Sequence, residues 1–302
     1  MSTRVTVLDG GMGRELLRIG APFRQPEWSA LALTEGPEWV VEAHTNFIDA
    51  GADVITTNSY AIVPFHIGEH RFAAEGRELA ALAGRLARQA TARASTRPVL
   101  VAGCLPPLFG SYRTELFDAD DAPRLIDPLV VGLAEHIDVW LGETLGSIGE
   151  ARAVRDALDR ADRLDARPLW ISYTLDDDHR GVLRSGEPVA DAVAAAIDLG
   201  AAAVLFNCSQ ADTISGAIDI AVGLAGDEVP IGGYANRFMA THASNVPANA
   251  DLAALREDLD PISYRAVVAR WIAAGASIVG GCCGIEPAHI AEIAALGSTV
   301  DT

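Results

Sequence analysis

The chain has 302 residues, half of them apolar, and a net charge of −18. That length allows one α/β barrel or two ordinary domains, and the acidic balance argues against nucleic acid or an anionic membrane surface as partner. All 23 basic residues are arginine, which removes Schiff-base aldolases, pyridoxal-phosphate enzymes and the P-loop lysine together.

No apolar run reaches about 18 residues, so no membrane span is expected. A predicted strand begins within five residues of the start, without a secretory signal. Four cysteines, two of them adjacent, then read as reduced thiols, and the expected compartment is the cytoplasm.

Residues 5–8 predict a first strand ending at Asp9-Gly10-Gly11, and 12–19 a helix stopped by Gly20. Residues 21–36, with Pro22, Pro26 and Trp28, read as irregular; Pro37 opens a helix that Gly51 ends. The second strand, 52–55, runs into Thr56-Thr57-Asn58-Ser59-Tyr60, and an arginine- and alanine-rich helix covers about 77–94. The third strand, 99–102, leads to Gly103-Cys104-Leu105-Pro106-Pro107; a polar loop fills 108–122 and a helix 123–135. The fourth strand, 137–141, ends at Gly142-Glu143-Thr144 before a helix over 147–158. The fifth, 168–173, precedes the acidic run Asp176-Asp177-Asp178, read as a solvated loop, and a helix over 189–199.

The sixth strand ends in Asn207-Cys208 and is followed by a helix over 214–224. The seventh, 229–233, ends at Tyr234-Ala235-Asn236; residues 239–262 read as a loop with a short helix at Leu252–Arg256. A helix over 264–274 and an eighth strand ending at Gly280-Gly281-Cys282-Cys283-Gly284 complete the pattern, with a last helix after Pro287. Strict strand–helix alternation means a parallel sheet. Eight units in a chain of roughly this size predict a single (β/α)8 barrel domain over 1–302. The alternative, an open doubly wound sheet, lacks its Gly-x-Gly-x-x-Gly turn after the first strand.

In such a barrel the chemistry sits at the C-terminal strand ends. Those ends hold Asp9, Thr57-Asn58, Cys104, Glu143, Tyr173, Asn207-Cys208, Asn236 and Cys282-Cys283. Adjacent thiols cannot both face a core from one strand. With Cys208 they make three soft ligands that suit one zinc ion and leave its fourth position open. Three thiolates make a poor activator of water but a good holder of a substrate thiol as thiolate. Cys104 alone reads as an ordinary core thiol. Asp9 is either a site residue or the cap of the helix over 12–19. Glu143 reads as functional, since a carboxylate ending an apolar strand is expensive to keep. His44, His66, His70 and His242 have no ligand spacing, and Trp28 either covers the mouth or packs against it. The apolar faces of the alanine-rich outer helices also suit a homo-oligomer.

Leu8-Asp9-Gly10-Gly11-Met12, Thr57-Asn58-Ser59-Tyr60, Glu143-Thr144 with Glu150-Ala151, Asn207-Cys208 and Gly280-Gly281-Cys282-Cys283-Gly284 together resemble the homocysteine S-methyltransferase family, in order from residue 5 to about 295. The resemblance implies a (β/α)8 barrel in which Cys208, Cys282 and Cys283 bind Zn2+ and homocysteine sulfur takes the open position. It implies that Asp9 and Glu143 bind the homocysteine ammonium, that the Gly10 and Thr57 regions hold its backbone end, and that Asn207, with Asn236, supports the site from behind the metal. The implied partners are small molecules. The reaction is methyl transfer to the thiol, giving methionine, and the resemblance favours S-methylmethionine over betaine as donor. A non-catalytic zinc- or thiol-binding barrel is the competing function; the missing lysine and histidine ligands disfavour a lyase or hydrolase. The segment around Cys104-Leu105-Pro106-Pro107 departs from the family pattern.

Overall fold

Apolar runs between turn signals form the strands, and the amphipathic stretches after them form helices. In the computed structural model the order is β1 (Thr6–Val7), α1 (Met12–Ile19), α2 (Ala30–Glu35), α3 (Pro37–Asp49), β2 (Val54–Thr56), α4 (Pro64–Ile67), α5 (Glu69–Arg93), β3 (Leu100–Leu105), α6 (Ala122–Leu133) and β4 (Val139–Leu145). Then come α7 (Ile148–Arg160), β5 (Leu169–Tyr173), α8 (Val189–Asp198), β6 (Ala203–Asn207), α9 (Ala211–Ala225), β7 (Ile231–Tyr234), α10 (Pro261–Ala273), β8 (Ile278–Val279) and α11 (Pro287–Gly297). The structure describes residues 5–94, 97–162, 167–226, 228–239 and 254–297. Among these, no helix is long and apolar enough to cross a membrane.

All the strands pair in parallel in the order β1-β8-β7-β6-β5-β4-β3-β2. A parallel bridge between Leu8 and Val54 closes the ring, with Asp53 N donating to Val7 O at 2.7 Å and Asp9 N to Val54 O at 3.0 Å. The result is a (β/α)8 barrel. Its lumen is filled by Leu8, Val54, Ala102, Val139, Leu141, Ala203, Leu205, Tyr234 and Ile278, and a larger apolar layer lies between strands and helices.

Side chains alternate across a strand, so the parity of this lumen layer decides what stands above it. Two residues beyond Ala102, Leu141, Trp170 and Leu205 come Cys104, Glu143, Ser172 and Asn207, which form the polar layer at the mouth. Tyr173 has the opposite parity and packs in the outer layer, so it is not a mouth residue.

Several boundaries differ from the sequence reading. The helix expected at 77–94 starts at Glu69, because Gly68 (φ 78°) ends α4 and the Glu, Arg and Ala that follow are good helix formers. The stretch 21–36 contains α2, whose Ala30 to Leu33 are all buried. Strands β3 and β4 run past their expected ends, so Cys104 and Glu143 lie inside the ladder, where Cys104 pairs with Leu141. Leu255 forms an antiparallel bridge with Phe238 in place of the short helix expected at 252–256. Residues 252 and 253, like His242, lie outside the described residues. Glu150 turns out to be part of a helix cap. Ser147 Oγ accepts Glu150 N at 3.1 Å, and Glu150 Oε2 accepts Gly146 N at 2.6 Å, a variant of the capping box in which the carboxylate bonds the residue before the cap.

Candidate metal centre

Cys208, Cys282 and Cys283 meet at the C-terminal mouth, their sulfurs all within 4.8 Å of one another. The strand pattern alone would not achieve this. Cys208 follows the lumen-facing Asn207 and so has the wrong parity. Its φ of 51° turns the chain through the left-handed region just beyond β6 and redirects the side chain. Thr144 (φ 61°) and Tyr112 (φ 65°) share that strained conformation around the same site. Cys282 and Cys283 escape strand alternation because β8 stops at Val279 and a glycine-flanked turn carries both thiols.

The cysteine turn is fixed from two sides. Cys282 N donates to Ala235 O at 2.9 Å and Arg237 N to Cys283 O at 2.8 Å, tying it to the loop after β7. Gly281 N donates to Asp9 O at 3.0 Å, tying it to the end of β1. This close approach requires the glycines there. A Cβ on Gly11 would stand 2.7 Å from Cys282 O, and one on Gly10 would stand 2.3 Å from Ile285 O and 2.7 Å from Phe47 Cε1. Gly10 therefore has a packing reason to be glycine.

The three sulfurs fit one zinc ion. A tetrahedral zinc with Zn–S bonds of about 2.3 Å puts its sulfurs about 3.8 Å apart, and Cys208 Sγ lies 3.8 Å from Cys283 Sγ. The sulfurs are not equivalent. Hydrogen bonding with Cys282 and Cys283, and a 2.9 Å bond donated by Tyr112 Oη, hold the Cys208 thiol well below the ordinary range. Hydrogen bonding with Cys208, together with burial, holds Cys282 and Cys283 well above it. Tyr112 is braced by the Arg184 guanidinium 4.7 Å from its ring centre. Asn207 Nδ2 is 3.8 Å from Cys282 Sγ and 2.8 Å from Thr144 Oγ1, while its Oδ1 accepts Thr144 N at 3.1 Å and Ser172 Oγ at 2.8 Å. Among the described residues Asn236 forms no hydrogen bond to a sulfur. It joins the ends of β6 and β7, its N–H on Ser209 O at 3.2 Å and its Oδ1 accepting Phe238 N at 3.1 Å.

Two carboxyls share the mouth. Asp9 does not cap α1, whose N-cap is Gly11 with no side-chain bond; its Oδ2 instead accepts Thr56 N at 2.8 Å. Burial raises its carboxyl from 3.8 to about 8, against the pull of the Thr56 N–H and with the push of the Glu143 charge. Burial likewise lifts Glu143 to about 7, although Cys104 and Tyr234 donate to it. Among the described residues neither carboxyl forms an ion pair. Two such groups side by side suit an incoming cation. Thr57 stands at the same corner, but its hydroxyl accepts Cys104 N at 3.0 Å and pairs with Ser59 Oγ at 2.9 Å.

The mouth of the (β/α)8 barrel thus carries three thiols close enough to hold one metal ion, together with two buried carboxyls that form no ion pair among the described residues. A sequence model of the homocysteine S-methyltransferase family matches residues 6–296. Homocysteine S-methyltransferase of Escherichia coli strain K12 is 31% identical over 96% of this chain and 94% of its own length, and homocysteine S-methyltransferase 1 of Zea mays is 30% identical over 95% and 92%. The metallated form of the E. coli homocysteine methyltransferase MmuM superposes with a TM-score of 0.78 at 26% identity, covering 97% of this chain and 96% of that one. The chain belongs to the homocysteine S-methyltransferase family.

Tyr112 and Tyr234 were missed by sequence reasoning. Tyr112 lies in a long polar loop 96 positions from its sulfur partner, and nothing local marks it. Tyr234 was legible as a strand end, but not as a donor to Glu143.

Proposed function

We propose that this chain is a zinc-dependent methyltransferase that moves a methyl group from a sulfonium donor, S-methylmethionine, to the thiol of homocysteine, giving methionine. One observation carries the reading: three sulfurs within 4.8 Å of one another, with two buried carboxyls at the same mouth that have no ion-pair partner among the described residues. Cys208, Cys282 and Cys283 would hold the zinc, which when bound lowers the pKa of an acceptor thiol and keeps it nucleophilic near neutral pH.

The chain's own residues do the rest. Asp9 and Glu143 bind the acceptor's ammonium, and the Gly10 and Thr57 corner receives its carboxylate end. Asn207 and Tyr112 hold the ligand sulfurs in register, and Asn236 supports them from the β6–β7 corner. Methyl transfer between sulfurs moves no proton at carbon, so the site needs positioning rather than a general base. Once they lose their protons, the two carboxyls would also favour a cationic donor. We assign the activity to one barrel domain over 1–302, acting on small molecules in the cytoplasm, where thiols stay reduced.

The test uses reduced protein of known zinc content. It is supplied with homocysteine and either S-methylmethionine, S-adenosylmethionine or betaine, and methionine is measured. The reading expects one zinc per chain and methionine from S-methylmethionine. Methionine from betaine alone would overturn the donor assignment. Full zinc occupancy with no methylation from any donor would favour a non-catalytic thiol-binding barrel.

A further inference from the structure

We propose that Cys104 is a positioning residue for the Glu143 carboxylate. Cys104 is wholly enclosed. Its N–H donates to Thr57 Oγ1 at 3.0 Å and its carbonyl accepts Ser59 Oγ at 2.8 Å, so its backbone is locked to the corner after β2. Its Sγ donates to Glu143 Oε2 at 3.1 Å, while Tyr234 Oη donates to Oε1 at 3.2 Å from the far side of the mouth. The register explains the reach. Cys104 pairs with Leu141, so Glu143 is its diagonal neighbour on the same face of the sheet.

Both donors are neutral. An arginine in their place would fix the carboxylate by neutralising it. A thiol and a phenol fix its direction and leave its charge for the substrate cation. The thiol remains a donor because burial and the neighbouring Glu143 charge push it well above its ordinary value. The hydroxyl of Thr57 thus acts through the Cys104 backbone on Glu143, a chain of contacts from the corner after β2 across β3 to β4.

This inference rests on Glu143 binding the acceptor's ammonium, and the test separates the two. Calorimetry on zinc-loaded protein compares homocysteine with 4-mercaptobutanoate, the same thiol without its amine. The forms compared are the unaltered chain, Cys104→Ala, Cys104→Ser and Glu143→Gln, at matched zinc content. Loss of one such bond predicts that Cys104→Ala weakens homocysteine about fivefold and leaves 4-mercaptobutanoate unchanged, with Cys104→Ser restoring most of the loss. Glu143→Gln weakens homocysteine further in the same selective way. If Cys104→Ala leaves homocysteine affinity intact while Glu143→Gln lowers it, the positioning role is wrong and the ammonium site stands. Equal weakening of both ligands by Cys104→Ala means that the residue only packs, which also overturns the proposal. If Glu143→Gln is silent, the ammonium site itself is wrong.

Discussion

Replacing Asp9 by asparagine separates what the site costs the fold from what it does for the substrate. Asparagine keeps an oxygen that can accept the Thr56 N–H, now 2.8 Å from Asp9 Oδ2, and removes the titrating proton. The Asp9 carboxyl is raised from 3.8 to about 8, so at pH 7 the folded chain holds a proton that the unfolded chain has released. At about 1.4 kcal/mol per unit, the span from 3.8 to 7 corresponds to a penalty of about 4 kcal/mol, and relaxation around the buried group brings it to about 2 kcal/mol. In a chain of this length that is on the order of 5 °C in Tm. The sign follows from the raised value. Below 3.8 the group is protonated in both states and the variant gains nothing; the gain grows with pH and is complete above about 8. Thermal unfolding of the reduced, metal-free protein between pH 5 and 8 reads it directly. We expect Asp9→Asn to be the more stable form, increasingly so with pH, and to lose about tenfold or more in methyl transfer once zinc is restored. A Tm difference that does not change with pH, or a destabilised variant, would refute the reasoning.

Cys208→Ala should lose zinc and activity together; metal retained at one per chain would mean that the ligand set is wrong. Gly11→Ala should cost more than 1 kcal/mol in stability and lower zinc occupancy, since its Cβ would stand 2.7 Å from Cys282 O; an unchanged melting curve would contradict this. Tyr112→Phe removes the 2.9 Å bond to Cys208 and should weaken zinc about tenfold in a chelator competition; unaltered competition would show that this hydroxyl does nothing for the metal. Homocysteine binding should tighten as pH rises through about 7 and 8, because Glu143 and Asp9 must lose protons to face an ammonium. Calorimetry in two buffers should show release of more than the roughly one proton that the acceptor thiol gives up to a bound zinc, and release of that one alone would argue that the carboxyls were already charged.

The architecture was legible because it depends on period and count: eight apolar runs, each followed by an amphipathic segment. The clustering of three cysteines was legible for a different reason. Two adjacent thiols between glycines have no sensible place in a strand, and the Asn207-Cys208 strand end supplies a third. The orientation of Cys208 was not legible, because a single positive φ overrides strand parity. The partners of Glu143 were also hidden. They come from β3 and β7, and only the register of the closed sheet shows that Cys104 and Tyr234 reach the same carboxylate. Tyr173 shows the opposite error, since its position at a strand end looked meaningful but its parity points it outward.

Three cysteine sulfurs would hold one zinc and leave room for one more. X-ray absorption at the zinc edge, before and after homocysteine is added, counts those neighbours directly. The prediction is three sulfurs and one lighter atom in the free enzyme, becoming four sulfurs with substrate. A sulfur count that does not rise with homocysteine would contradict it.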